Sequence, residues 1–84
     1  MKPEELMLIS AVRYALGRMS YIVKDTCDFV LFNRSKLSEN CRRIIIKDIE
    51  DELDRYHSCG KTLGMDFDER NWMFLLDTLE SELK

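Results

Sequence analysis

Between Ala11 and Phe32 the chain reads AVRYALGRMSYIVKDTCDFVLF, two apolar stripes of helical period hinged at Leu16-Gly17-Arg18-Met19-Ser20. Before the hinge, Leu8, Ile9, Val12, Ala15, Leu16 and Met19 recur three or four apart, which makes one helix face apolar. Gly17 can end that helix, because glycine enters the left-handed region without a Cβ clash. Ser20 can then cap a second helix through its hydroxyl. Ile22, Val23, Thr26, Phe29 and Val30 make the next stripe, with Lys24, Asp25 and Asp28 toward water. The expected unit is a helical hairpin; the alternative is one kinked helix running through Gly17.

The flanking segments extend the same pattern. Pro3 suits a first helical turn, and Glu4 and Glu5 suit the positive end of the helix dipole. After the hairpin comes a polar connection, Asn33-Arg34-Ser35-Lys36-Leu37, whose Arg34 and Lys36 lie near the negative end of the second helix. Ser38 is placed to cap a third helix on which Cys41, Ile45, Ile49 and Leu53 fall four apart, widened by Ile44, Ile46 and Tyr56. The Ile44-Ile45-Ile46 run favours a strand locally, since branched side chains are stiff. The helical period nevertheless continues through Asp51-Glu52-Leu53-Asp54-Arg55, which is poor strand material, and helix is expected. Gly60 ends it, and Lys61 to Met65 turns around Gly64. Asp66 and Glu69 have capping-box spacing before a last helix with Trp72, Leu75, Leu76, Leu79 and Leu83 inside and Asp77, Glu80 and Glu82 outside. The sequence therefore predicts an all-α, single-domain bundle of four helices over 3–18, 20–33, 39–58 and 67–83.

Composition sets bounds on function. A chain of 84 residues makes one small domain, and 45% hydrophobic with 35% charged residues fits a soluble globule rather than a disordered chain. No run approaches the roughly 18 apolar residues that cross a bilayer, and Glu4 and Glu5 stand where a signal peptide needs its apolar segment. Cys27, Cys41 and Cys59 are odd in number and unpatterned in spacing, so reduced thiols in a cytoplasm are expected.

The net charge of −3 hides a strong division. Residues 1–47 hold nine Lys/Arg and five Asp/Glu, a balance of +4, whereas residues 48–84 hold four and eleven, a balance of −7. The boundary falls inside the third helix, with Arg42, Arg43 and Lys47 toward its start and Asp48, Glu50, Asp51, Glu52 and Asp54 in its second half. That order opposes the helix dipole, and Arg43/Lys47, Asp48/Glu52 and Glu50/Asp54 are like charges four apart. A helix arranged against its own electrostatics points to an acidic surface for a basic partner protein, and Asp48, Glu50, Asp51, Glu52 and Asp54 are the candidate contacts. The alternative is a nucleic-acid contact at the opening of the third helix, made by Arg34, Lys36, Asn40, Arg42, Arg43 and Lys47. Against it stand a pI near 5.1 and the lack of a second basic face.

Other chemistries fit less well. His57 and Cys59 with Cys27 and Cys41 offer four zinc-type ligands, but closely spaced ligand pairs are absent and no metal or cofactor is expected. Phosphate-binding glycine loops, nucleophile elbows and a second histidine are also missing, so a non-enzymatic role is expected. A third reading is a homo-oligomer sealed by Phe32, Phe67 and Phe74.

The words Tyr14-Ala15-Leu16-Gly17-Arg18 and Ser20-Tyr21, with Trp72 in an acidic terminal helix, resemble small helical proteins encoded by bacteriophages and bacterial mobile elements. That resemblance implies an accessory protein acting in the cytoplasm of a bacterial host by binding a host protein, as anti-CRISPR proteins do, with a CRISPR effector subunit as one such target. The three cysteines have no counterpart in that pattern.

Overall fold

The helical period is realised as four α-helices and no strand among the described residues of a computed structural model, which are 2–16, 20–58 and 69–83. They are α1 (Pro3–Ala15), α2 (Ser20–Phe32), α3 (Glu39–Ser58) and α4 (Glu69–Ser81), with a single 3-10 turn at Arg34–Lys36 between α2 and α3. None is long and apolar enough to cross a membrane. The Gly17 stop, the turn around Gly64, the Asp66 cap, and Cys59 and Phe67 lie outside the described residues, as does the Ser20 side chain.

Four of the described ends can be traced residue by residue. Proline occupies the first position of α1, where no amide partner is needed. Leu16 then turns to φ −58° and ψ 123°, so α1 ends three residues earlier than the stripe suggests. At the end of α2 the Asn33 side-chain amide donates to the Phe29 carbonyl at 2.8 Å, and Arg34 Nη1 donates to the Leu31 carbonyl at 2.9 Å. The second bond satisfies a carbonyl that the helix end leaves open, while the Phe29 carbonyl also accepts from the Asn33 backbone amide at 3.2 Å. Ser38 caps α3 as expected, its Oγ accepting from the Cys41 amide at 3.2 Å.

The core takes one stripe from each helix. Leu8, Ile9, Val12 and Ala15 meet Val23, Cys27 and Val30, Cys41, Ile45, Ile46, Ile49 and Leu53, and Trp72, Leu75 and Leu79. Of the expected α2 stripe, Val23 and Val30 are buried, but Phe29 is 53% exposed. Cys27, whose place on an apolar stripe also suited a buried thiol, is inward, because the core-facing ridge of α2 runs Val23–Cys27–Val30 and Phe29 lies off it.

Cross-helix bonds reveal the winding. Glu5 meets Ser38 and Arg13 meets Asp48, so α1 and α3 run parallel side by side. Glu82 meets Arg42 at one end, and His57 Nε2 meets Glu69 Oε1 at 3.0 Å at the other, so α3 and α4 are antiparallel. α1 packs on α2 and α3, and α4 packs on the same two, so α2 and α3 stand diagonally although consecutive in the chain. The turn at residues 33–38 carries the chain across the end of the bundle.

Candidate functional site

The five carboxylates of α3 do not form one surface. At 100° per residue, Asp48 and Glu52 fall on one side, and Glu50 and Asp54 on another. Asp48 turns toward α1, where its Oδ2 accepts from Arg13 Nε at 2.7 Å. The carboxylate raises the Arg13 pKa, first through that hydrogen bond and then through its charge. Asp51 is held by Lys47 Nζ at 3.2 Å, one turn earlier on the same helix. Glu52, only 13% exposed at its side chain, accepts from Arg55 Nη1 at 2.6 Å. Folding therefore neutralises three of the five acids locally.

Glu50 and Asp54 remain exposed, one turn apart, with no ion-pair partner among the described residues. A shallow groove of about 310 Å³ between α3 and α4 brings Glu50 alongside Glu80, with Ile46 and Leu83 in its floor and Arg43 and Lys47 at its rim. Asp77, three residues before Glu80 and exposed, extends the acid row along α4. Sequence reasoning placed Asp77 and Glu80 outward but did not join them to α3, because only the antiparallel pairing of α3 with α4 does so. Glu82 is exposed, as expected, and there it pairs with Arg34 at 2.8 Å and with Arg42.

The basic candidates divide likewise. Arg42, 12% exposed at its side chain, bonds Glu82 and the Arg34 carbonyl, and donates through Nε to the Leu37 carbonyl at 3.3 Å. It ties the crossing turn to α4. Arg34 joins the same cluster. Arg43 is paired with Glu39 at 2.6 Å and Lys47 with Asp51. Lys36 and Asn40 are exposed near the turn, and Lys36 lines a hollow of about 450 Å³ with Lys2, Glu4 and Ser35.

The most constrained polar group is Glu5, which is 4% exposed. Its Oε1 accepts from the Lys2 amide at 3.2 Å, the return half of a capping box at the start of α1. Its Oε2 accepts from the Ser38 amide at 2.8 Å and the Ser38 hydroxyl at 2.6 Å. A capping box normally takes that N-cap amide with a carboxylate three residues on. Here that position is Cys41, and Glu5 supplies the carboxylate from 33 residues away. One side chain thus completes two helix starts. The Ser38 hydroxyl first, then the Ser38 and Lys2 amides, hold its pKa down from 4.5 to about 2, against a smaller opposing effect of burial. Cys41, fully buried beneath it, has its thiol pushed from 9.0 to about 11 by burial and then by the Glu5 charge. Cys27 is buried as well, and neither is bridged.

Comparison with protein-family models, curated proteins and solved structures returns no match to this chain. The likeness to phage-type helical proteins therefore rests on its short sequence words alone.

Proposed function

We propose that this chain is a non-catalytic protein-binding module, of the kind phages and mobile elements direct against a bacterial defence complex, and that it engages its target through acids displayed by α3 and α4. One observation supports this reading above the others. After folding has paired Asp48, Asp51 and Glu52, the exposed carboxylates Glu50 and Asp54 remain unpaired among the described residues, with Glu80 beside Glu50. Fixed like charges one turn apart on a rigid helix cost stability and attract a basic surface. A CRISPR effector subunit, whose basic channel normally holds nucleic acid, is the class of target that fits. The Arg34–Arg42–Glu82 cluster has a structural task at the bundle end, which leaves the nucleic-acid reading no specific support.

The test is a double substitution, Glu50→Lys with Asp54→Lys. The wild-type chain should co-purify with a defence effector from the bacterial host and block its cleavage of target DNA. The variant, folded by circular dichroism, should bind at least about tenfold more weakly. Unchanged binding removes the acidic surface from the reading. An effector that cleaves normally in excess wild-type protein removes inhibition.

A further inference from the structure

The helix α2 is apolar on two sides. Its inner ridge, Val23–Cys27–Val30, enters the core, while Tyr21, Asp25, Phe29 and Phe32 follow one another four, four and three residues apart on the side that faces water. Beside them on α1 stand Met7, Ala11 and Tyr14, again at helical spacing. Met7, Ala11, Asp25, Thr26 and Phe29 line a groove of about 340 Å³ along the seam of the two antiparallel helices. Met7 is 67% exposed and Phe32 84% exposed, values foreign to a residue whose task is packing.

We propose that this α1/α2 groove docks an amphipathic helix of a partner protein that carries a lysine or arginine within its apolar stripe. Two helices side by side present a channel into which the ridge of a third can lie, and small Ala11 lets that ridge approach. Asp25 sets the required charge. It is exposed among apolar neighbours, with no cation bonded to it among the described residues, and Lys24 beside it is bonded to Asp28 at 2.9 Å. An apolar helix without a cation would leave that carboxylate desolvated and unpaired, which is costly. A helix offering a basic side chain at that point satisfies it.

Charge and shape argue for a helix over a second copy of the chain. Taking about 150–250 Å² for a whole aromatic side chain, Tyr14, Tyr21, Phe29 and Phe32 leave on the order of 500 Å² of aromatic surface in water. That surface runs as a strip along the seam of two helices, the shape that one helix face covers. A second copy would also bring a second Asp25 to the face and no cation. This surface is separate from the acids of α3 and α4, so its failure leaves that reading standing.

The experiment uses the full chain, 15N-labelled, titrated with a synthetic amphipathic helical peptide bearing leucines at helical spacing and one lysine in the stripe. A twin peptide carries glutamate in place of that lysine. The lysine peptide should shift the amides of Met7, Ala11, Asp25 and Phe29 and bind about tenfold tighter than its twin. Asp25→Lys should reverse the order of the two peptides, and Phe29→Asp should abolish both. Both positions are exposed, so circular dichroism should show each variant folded. Equal affinity for the twins, shifts centred elsewhere, or no binding of either would overturn the proposal. So would light scattering that finds a wild-type dimer turned monomeric by Phe29→Asp, which assigns the groove to a second copy.

Discussion

Ser38 is where two helix starts meet, and replacing it separates a local cap from a tertiary one. In Ser38→Ala the Cys41 amide loses its acceptor and Glu5 loses its shortest donor. Loss of an N-cap hydroxyl costs about 1 kcal/mol. For a domain of this size, each such unit lowers the melting temperature by about 4–8 °C. The cap alone therefore accounts for a fall in that range, and the lost Glu5 contact deepens it. Ser38→Asp is the sharper variant. At an isolated helix start aspartate caps as well as serine, and the substitution is close to neutral. Here the new carboxylate would sit 2.6 Å from where Glu5 Oε2 now accepts a hydroxyl proton, replacing a donor with a like charge. Thermal denaturation followed by circular dichroism at neutral pH should rank wild type above Ser38→Ala, with Ser38→Asp at least as unstable as the alanine variant. Adding Glu5→Gln to Ser38→Asp should recover part of the loss, because an amide can donate to the new carboxylate. A Ser38→Asp variant that melts with wild type, or effects of Glu5→Gln and Ser38→Asp that simply add, would refute a shared carboxylate at the two starts.

Two further outcomes follow from the same corner of the bundle. Because folding lowers the Glu5 pKa from 4.5 to about 2, its contribution is complete above about pH 4.5 and disappears as pH falls toward 2. Urea midpoints measured down that range should drop for wild type and drop less steeply for Glu5→Gln; identical slopes would mean other carboxylates carry the acid sensitivity. Cys41 is buried and its thiol is pushed up to about 11, so in a Cys59→Ser variant neither Cys41 nor Cys27 should react with Ellman's reagent while the chain is folded. Both should react in concentrated guanidinium chloride, and rapid labelling of the native chain would place a thiol at the surface.

The stripe of α3 was legible in the sequence because that helix has one apolar face, so period alone says which side turns inward; on α1 and α4 the longest apolar ladders were the buried ones although Met7, Tyr14, Met73 and Phe74 stay exposed. On α3 the ladder Cys41–Ile45–Ile49–Leu53 is buried throughout. On α2 the same rule gave an ambiguous answer: apolar residues occupy most of the circumference, and the stripe drawn through Phe29 was as periodic as the one through Cys27. Packing against both α1 and α4 decided between them. Ser38 was legible as a cap because capping is local, whereas Glu5 was legible only as a carboxylate near a helix start. Its second role spans 33 residues and depends on α1 and α3 lying parallel, which no local pattern encodes. Glu82 was legible as an outward residue, but its pairs were not, since Arg34 and Arg42 reach it only through the diagonal crossing.

The charge order of α3 can now be divided into what folding compensates and what it leaves. The basic opening is offset by Glu39 against Arg43 and by Glu82 against Arg42, and the acidic second half by Arg13, Lys47 and Arg55. Each exposed pair is worth only a few tenths of a kcal/mol, enough to cancel a like-charge neighbour of similar size. Glu50 and Asp54 have no such compensation among the described residues and, one turn apart, repel each other. Nothing in the packing of the bundle needs their charge: neither is buried, and neither caps a helix or bridges two. A residue pair that the fold would hold equally well, or slightly better, without its charge is one whose removal can report on binding without confounding it with unfolding. That separates Glu50 and Asp54 from Asp48, whose bond to Arg13 joins two helices and whose substitution would mix both effects.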